Sequence, residues 1–241
     1  PDSGIGFSII TQLHLTAERE NFVVLYPDGL NLGWNATDGL PQFRNGDWDD
    51  VQFLEDLVLN VSEQVNIDLD RVYATGFSNG GFMVQRLACS AHDFFAAYSV
   101  LGATMIPQFI GGICDPDIDV PIMFMHGTHD VSIRWEGQPN SYMPVVDSLF
   151  YWVSHNDCNP TPLDIELLPK QDDAAETYVG KIVYEDCAFG GDMWFYGVEN
   201  GGHNWTGVPG VIREEIAGLV NTDVHASDIV WEYMSQFTLD G

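Results

Sequence analysis

Two patterns of hydrophobic residues alternate along the chain, and each predicts a different element. Short continuous apolar runs are typical of buried strands; they lie at residues 22–26, 71–77, 94–101 and 120–125, and two later strands are expected at 178–187 and 192–198. Apolar residues at helical spacing predict helices; these are expected at residues 7–20, 79–90, 142–155 and 223–238, and from Asp47 or Asp49 to near Asn66.

The alternation of buried strands with helices favours one class of fold. Continuous apolar strands joined by helices predict an α/β protein whose mostly parallel central sheet is covered by helices on both faces. Side chains at two helix starts can cap free backbone N–H groups, namely Asp47 or Asp49 for the second helix and Asp223 for the last. No repeat or linker interrupts the pattern, so residues 1–241 are interpreted as one domain.

The net charge of the chain limits the kinds of partner that it can bind. Lys and Arg number 8 against 36 Asp and Glu, which gives a formal net charge of -28. Such a surface repels nucleic acid and anionic membranes, and it indicates a salty or cold environment. No apolar run reaches the ~18 residues that a membrane helix needs. Because the chain opens at Pro1, we expect any targeting segment to have been removed or left out.

Four cysteines are spread along the chain without a C-x-x-C pair, so a zinc or thioredoxin-like site is not indicated. An even number fits two disulfides and an oxidising compartment, which predicts a secreted or periplasmic protein. Chain order suggests Cys89 with Cys114 and Cys158 with Cys187, although three pairings are possible. The alternative is four buried thiols.

One motif carries the candidate chemistry. Gly76-Phe77-Ser78-Asn79-Gly80 lies where a predicted strand ends and a predicted helix begins. A turn this tight requires small residues on either side of the serine, and it lifts the hydroxyl above the sheet edge. Ser78 is therefore the candidate nucleophile, and the backbone N–H of Asn79 is a candidate oxyanion-hole donor at the start of the helix. The alternative is an ordinary glycine-rich turn.

A serine nucleophile needs a base and an acid that orients it, and in this kind of site the chain order is serine, acid, histidine. His203 follows two glycines in a late loop, whereas the other histidines lie in helices or precede the candidate acid. Asp130 ends the segment MFMHGTHD just beyond a predicted strand, which suits an acid that holds the imidazole. The competing candidates for the acid are Asp117, Asp119 and Asp147. The alternatives without a catalytic role are that His203 is a surface loop histidine and that Asp130 is a turn residue.

Three tryptophans lie near these candidates in sequence. Trp135 follows Asp130, Trp205 follows His203, and Trp34 lies on a polar loop after an early strand, so all three could line a substrate cleft. The alternative is that they belong to the core. The histidines lack metal-ligand spacing and no glycine-rich phosphate loop appears, so neither a metal nor another cofactor is expected.

Three segments carry a family resemblance. Residues 66–89 (NIDLDRVYATGFSNGGFMVQRLAC), 121–130 (PIMFMHGTHD) and 200–207 (NGGHNWTG) closely resemble secreted polyhydroxybutyrate depolymerases and feruloyl esterase-like proteins, the group near carbohydrate esterase family 1. The resemblance implies an α/β-hydrolase fold, a triad of Ser78, Asp130 and His203, and an acyl-enzyme intermediate. It also implies an upstream strand ending in His-Gly that gives a second oxyanion donor, and those N-terminal strands are expected to be missing here.

These observations predict a serine esterase with an ester substrate, possibly polymeric. The candidate substrates are feruloyl or acetyl esters of polysaccharide and hydroxyalkanoate or related polyester oligomers. The alternative is a non-catalytic protein of the same fold that binds esters or carbohydrate. A peptidase is a third interpretation, but no cation-binding pocket for a substrate amine is evident.

Overall fold

A six-stranded sheet with helices on both faces forms the centre of the computed structural model, which describes residues 3–37, 48–114, 119–163, 165–209, 212 and 214–239. The helices are α1 (Gly4–Thr11), α2 (Leu13–Glu20), α3 (Asp50–Ser62), α4 (Asn79–Ser90), α5 (Val145–His155), α6 (Glu214–Ala217) and α7 (Ala226–Met234). The strands are β1 (Tyr73–Phe77), β2 (Ala97–Leu101), β3 (Ile122–Gly127), β4 (Glu166–Leu167), β5 (Tyr178–Tyr184) and β6 (Met193–Glu199).

The strand order β1-β2-β3-β6-β5-β4 confirms the mostly parallel sheet. β1, β2, β3 and β6 pair in parallel, whereas β5 runs antiparallel to both β6 and β4. Every residue of β2 and β3 is buried, as continuous apolar runs predict. Because the carboxyl ends of parallel strands meet at one edge, the loops after β1, β3 and β6 converge there.

Two hydrophobic cores, one on each face, hold the helices against the sheet. One contains Phe82, Met83 and Leu87 of α4 together with Trp152 of α5. The other contains Ile229, Val230 and Tyr233 of α7, with Met123 and Met125 of the sheet. Each helix turns one apolar stripe inward, so both faces of the sheet are shielded from water.

The N-terminal region differs from the prediction in two ways. The expected helix at 7–20 is two helices, α1 and α2, because Gln12 adopts a left-handed conformation with φ of 52°. The strand expected at 22–26 is wrong: these residues form no strand, and Val23 and Leu25 are exposed. They line a cavity of about 1090 Å³ beside β1. An apolar run becomes a strand only where a neighbour completes its hydrogen-bond ladder, and in the described residues β1 pairs with β2 alone.

The predicted helix caps have different outcomes. Asp49 caps α3, because its carboxylate accepts the N–H groups of Val51 and Gln52 at 3.1 Å; Asp47 lies outside the described residues. Asp223 is not a cap, which corrects the prediction for the last helix. Its carboxylate accepts hydrogen bonds from the backbone N–H of Gln171 and the side chain of Asn221, both at 2.7 Å, and α7 begins three residues later.

Both predicted disulfides are present. Cys89–Cys114 joins α4 to the segment before β3, and Cys158–Cys187 joins the end of α5 to the loop after β5. The pairing that follows chain order is thereby confirmed. Within the described ranges, no helix has the length and apolar character required to cross a membrane.

Candidate active site

Ser78 lies at the turn between β1 and α4 in a conformation that non-glycine residues rarely adopt. Its φ is 56° and its ψ is -120°. The surroundings fix this geometry: the Ser78 N–H donates to the carbonyl of Leu101 at 3.0 Å, and its own carbonyl accepts the N–H of Phe82 at 3.1 Å, which starts the helix. Strained backbone of this kind is concentrated at functional sites and persists only where neighbouring structure enforces it.

The close packing around this turn falls on Gly76 and Gly81. A Cβ atom on Gly76 would lie 2.3 Å from the carbonyl oxygen of Gly80, and one on Gly81 would lie 2.7 Å from the Cβ of Ala103. By contrast, a Cβ on Gly80 would meet nothing closer than Trp34 Nε1 at 3.9 Å, an ordinary contact. The expectation that small residues are needed on both sides of the serine is therefore correct for Gly76 and wrong for Gly80.

Asn79 joins the turn at Ser78 to the loop that carries Trp34. It is the first residue of α4, so its backbone N–H has no partner within the helix and is available at the turn. Its side-chain Oδ1 accepts the backbone N–H of Trp34 at 2.6 Å, and its Nδ2 donates to the carbonyl of Trp34 at 3.2 Å. These two hydrogen bonds hold Trp34 beside Ser78, and both residues line the same cavity.

Asp130 and His203 form a direct hydrogen bond. His203 Nδ1 lies 2.6 Å from Asp130 Oδ2, and the Asp130 side chain is buried while that of His203 is partly accessible. The other carboxylate oxygen, Oδ1, accepts the backbone N–H groups of Ser132 at 2.8 Å and Ile133 at 2.7 Å. The carboxylate is thus fixed by its own turn, and one oxygen is directed at the imidazole.

Two neighbouring segments hold the His203 loop in place. The backbone N–H of His129 donates to the carbonyl of Gly201 at 2.9 Å, which ties the loop after β6 to the loop after β3. On the other side, the Gly202 N–H donates to Leu219 at 2.8 Å and the Asn204 side chain donates to Gly218 at 2.8 Å. Backbone contacts on both sides therefore set where the imidazole lies.

His203 and Ser78 line one cavity, and the ring of Phe77 packs 4.5 Å from the imidazole centroid. Within the described residues, no hydrogen bond joins the Ser78 hydroxyl to His203. Catalytic hydrogen bonds of this kind often tighten only when substrate is bound. The structure brings Ser78, Asn79 and Trp34 to the same end of the sheet as the Asp130–His203 pair.

The other two tryptophans lie away from this cavity surface. The prediction for Trp205 is wrong: its side chain is only 1% exposed, packs against Phe7 and Phe77, and donates from Nε1 to Ser227 Oγ at 3.2 Å. The side chain belongs to the core that contains α7, and the hydrogen bond to Ser227 satisfies its indole N–H there. Trp135 is partly buried and packs against the rings of His126 and Phe195, so its role in binding stays a prediction.

Sequence reasoning set aside one histidine that the structure places beside the acid. His126 is buried at the end of β3, and its Nε2 lies 3.6 Å from Asp130 Oδ2. Burial lowers the pKa of His126, although the nearby Asp130 carboxylate opposes that shift. Its position four residues before Asp130 was the one signal available from sequence. Among the residues that the structure describes, no group of three or more His, Cys, Asp or Glu side chains could hold a metal ion.

Comparison with known proteins finds similar sequences that are named as esterases. No protein-family model matches the chain. Feruloyl esterase B of Piromyces equi is 27% identical over 206 residues, which cover 80% of this chain and 36% of that protein. Feruloyl esterase C of Emericella nidulans is 32% identical over 141 residues, which cover 58% of this chain and 45% of that protein. The chain therefore spans less than half the length of these relatives.

A solved structure shows the fold. The acetyl xylan esterase from Aspergillus awamori matches with a TM-score of 0.64 at 14% sequence identity, over 97% of this chain and 84% of that one. At that identity the match concerns the fold alone. The chain is therefore similar to proteins named feruloyl esterase over part of its length, and its fold is that of the α/β-hydrolases.

Proposed function

We propose that this protein is a serine esterase that hydrolyses carboxylic esters through an acyl-enzyme on Ser78. The observation that carries the proposal is the 2.6 Å hydrogen bond between His203 and buried Asp130, beside a strained serine at the head of α4. The similarity to proteins named feruloyl esterase supports the same reaction class.

We propose the following role for each group. Since Nδ1 of His203 donates to Asp130, its Nε2 is free to take the proton from the Ser78 hydroxyl as Oγ attacks the ester carbonyl. The Asn79 N–H, reinforced by the helix dipole, stabilises the negative oxygen of the tetrahedral intermediate. The intermediate collapses when His203 returns the proton to the leaving alcohol. A water molecule, activated by His203 in the same way, then releases the acid and restores Ser78.

For the substrate we propose feruloyl or acetyl esters of plant polysaccharide. Relatives named feruloyl esterase and a structural neighbour named acetyl xylan esterase support this choice. Trp34, held next to the nucleophile by Asn79, offers an aromatic face against which a planar acyl group can stack. Hydroxyalkanoate and other polyester oligomers stay a prediction for the same site.

We also propose that the protein works outside the cell. Two disulfides favour an oxidising compartment. The net charge of -28 disfavours nucleic acid and anionic membranes as partners. A polymeric ester in the surroundings is the partner that fits both observations.

Hydrolysis of p-nitrophenyl acetate by wild type and by Ser78→Ala tests the proposal. We expect turnover above buffer for wild type and its loss in the variant. A wild type that binds esters without turnover would instead support the non-catalytic binding protein. Rates on methyl ferulate, acetylated xylan and a hydroxybutyrate oligomer, measured side by side, then rank the substrates.

A further inference from the structure

His126 is a buried side chain that the proposed reaction leaves without a role. It lies near the end of β3, and its side chain is 1% exposed. Its Nε2 lies 2.8 Å from the carbonyl oxygen of Ile133, and because a carbonyl only accepts, Nε2 must carry the proton. Nδ1 is then an unprotonated acceptor, and it is buried without a hydrogen-bond partner in the described part of the chain.

The hydrogen bonds of His126 and Asp130 meet on one residue. The N–H of Ile133 donates to Asp130 Oδ1 at 2.7 Å, while the carbonyl of Ile133 accepts from His126 Nε2 at 2.8 Å. Asp130 therefore binds the N–H of Ile133, and His126 binds its carbonyl. Together the two hydrogen bonds fix the turn that carries Asp130. The same Nε2 lies 3.6 Å from Asp130 Oδ2, the oxygen that binds His203.

We propose that His126 is a positioning residue that fixes the Asp130 carboxylate for its hydrogen bond to His203. The inference rests on the proposed esterase function. His126 acts through Asp130 rather than on substrate, because the cavity that adjoins it has a volume of only about 10 Å³, roughly that of one water. Trp135 packs against its ring at a centroid distance of 6.2 Å and restricts its movement.

The charged groups around His126 explain why it serves as a neutral donor. Asp130 faces it from the following loop, and His203 faces it from the loop after β6. Burial lowers the pKa of His126, Asp130 raises it, and His203 lowers it, with burial the largest effect. A neutral ring can hold the Ile133 carbonyl without adding a second positive charge to compete with His203 for the carboxylate.

Two variants separate positioning from packing. His126→Gln keeps an amide N–H that can reach the Ile133 carbonyl, whereas His126→Leu fills similar space without a donor. We expect kcat for p-nitrophenyl acetate to fall roughly 10- to 100-fold in the Leu variant with little change in KM, because a small misplacement of a catalytic group has effects of that size. The Gln variant should recover most of the lost kcat.

A readout independent of turnover keeps the test decisive. The proton shared by His203 Nδ1 and Asp130 should give a low-field ¹H NMR resonance in wild type and in His126→Gln, and it should weaken or move upfield in His126→Leu. Wild-type kcat and resonance in the Leu variant would overturn the inference. So would equal losses of kcat and of the resonance in both variants, which would indicate that His126 only fills space. A wild type without esterase activity sinks the proposed function, but the resonance still tests His126.

Discussion

Replacing Gly76 by alanine should disable the nucleophile turn, whereas the same change at Gly80 should not. Both glycines belong to the motif around Ser78, but their surroundings differ. A Cβ at Gly76 would lie 2.3 Å from the Gly80 carbonyl oxygen, whereas the nearest atom to a Cβ at Gly80 lies at 3.9 Å. The first contact involves backbone, so a side-chain rotation cannot relieve it.

The magnitude follows from the geometry. Ordinary van der Waals contact begins at 3.4 Å, whereas the added Cβ would lie only 2.3 Å from the carbonyl oxygen. To relieve this contact, β1 and the first turn of α4 would have to separate by about 1.1 Å. A misplacement near 1 Å in a catalytic constellation lowers turnover by about 10²-fold. We therefore expect kcat to fall about a hundredfold in Gly76→Ala. Gly80→Ala should keep wild-type kcat and gain roughly 0.5–1 kcal/mol in the free energy of unfolding, because alanine is the better helix former.

The assay compares kcat on p-nitrophenyl acetate with the thermal unfolding midpoint for wild type and both variants. Circular dichroism confirms that each variant is folded. If Gly76→Ala retained wild-type kcat, or if Gly80→Ala lost as much activity as Gly76→Ala, the steric argument would be refuted.

Three other predictions concern binding, stability and pH. Asn79→Ala keeps the backbone N–H but loses the two hydrogen bonds to Trp34, each of about 1 kcal/mol. We expect kcat/KM to fall roughly tenfold for methyl ferulate and much less for methyl acetate. Equal losses on the two esters would contradict a role of Trp34 in binding the aromatic acyl group. Replacing both Cys89 and Cys114 by serine should remove about 3 kcal/mol of unfolding free energy, which lowers the thermal unfolding midpoint by roughly 6–12 °C. An unchanged midpoint would exclude a stabilising role for this disulfide. Burial lowers the pKa of His225 in the folded protein, so the unfolded chain binds the proton first and stability should fall as the pH drops through about 6.5. The midpoint of His225→Gln should vary less between pH 7.5 and 5.5 than that of wild type, and an identical pH dependence would rule out this contribution.

Local patterns predicted the strand–helix turn at Ser78 well. The helix expected at 79–90 is α4, and Ser78 lies at the strand–helix junction where the motif placed it. These features depend on residues close in sequence, such as the apolar stripe of α4 and the close approach at Gly76. Asp130 and His203 were predicted from chain order, and their contact follows from the convergence of strand ends in a parallel sheet.

Errors arose where long-range structure decides. Residues 22–26 have the composition of a strand, but a strand exists only with a partner ladder. Trp205 lies two residues from His203, yet its side chain is buried and donates to Ser227 Oγ. His126 could not be singled out, because its importance comes from a shared partner, Ile133, that a helical or strand pattern does not reveal.

Covalent labelling of the nucleophile tests the central claim most directly. Wild type, Ser78→Ala and His203→Ala would each be treated with a fluorophosphonate probe, followed by intact-mass and peptide analysis. The account predicts one adduct per wild-type molecule, located on Ser78, with none in Ser78→Ala and much slower labelling in His203→Ala. A folded wild type that forms no adduct, or an adduct on another residue that persists in Ser78→Ala, would contradict it.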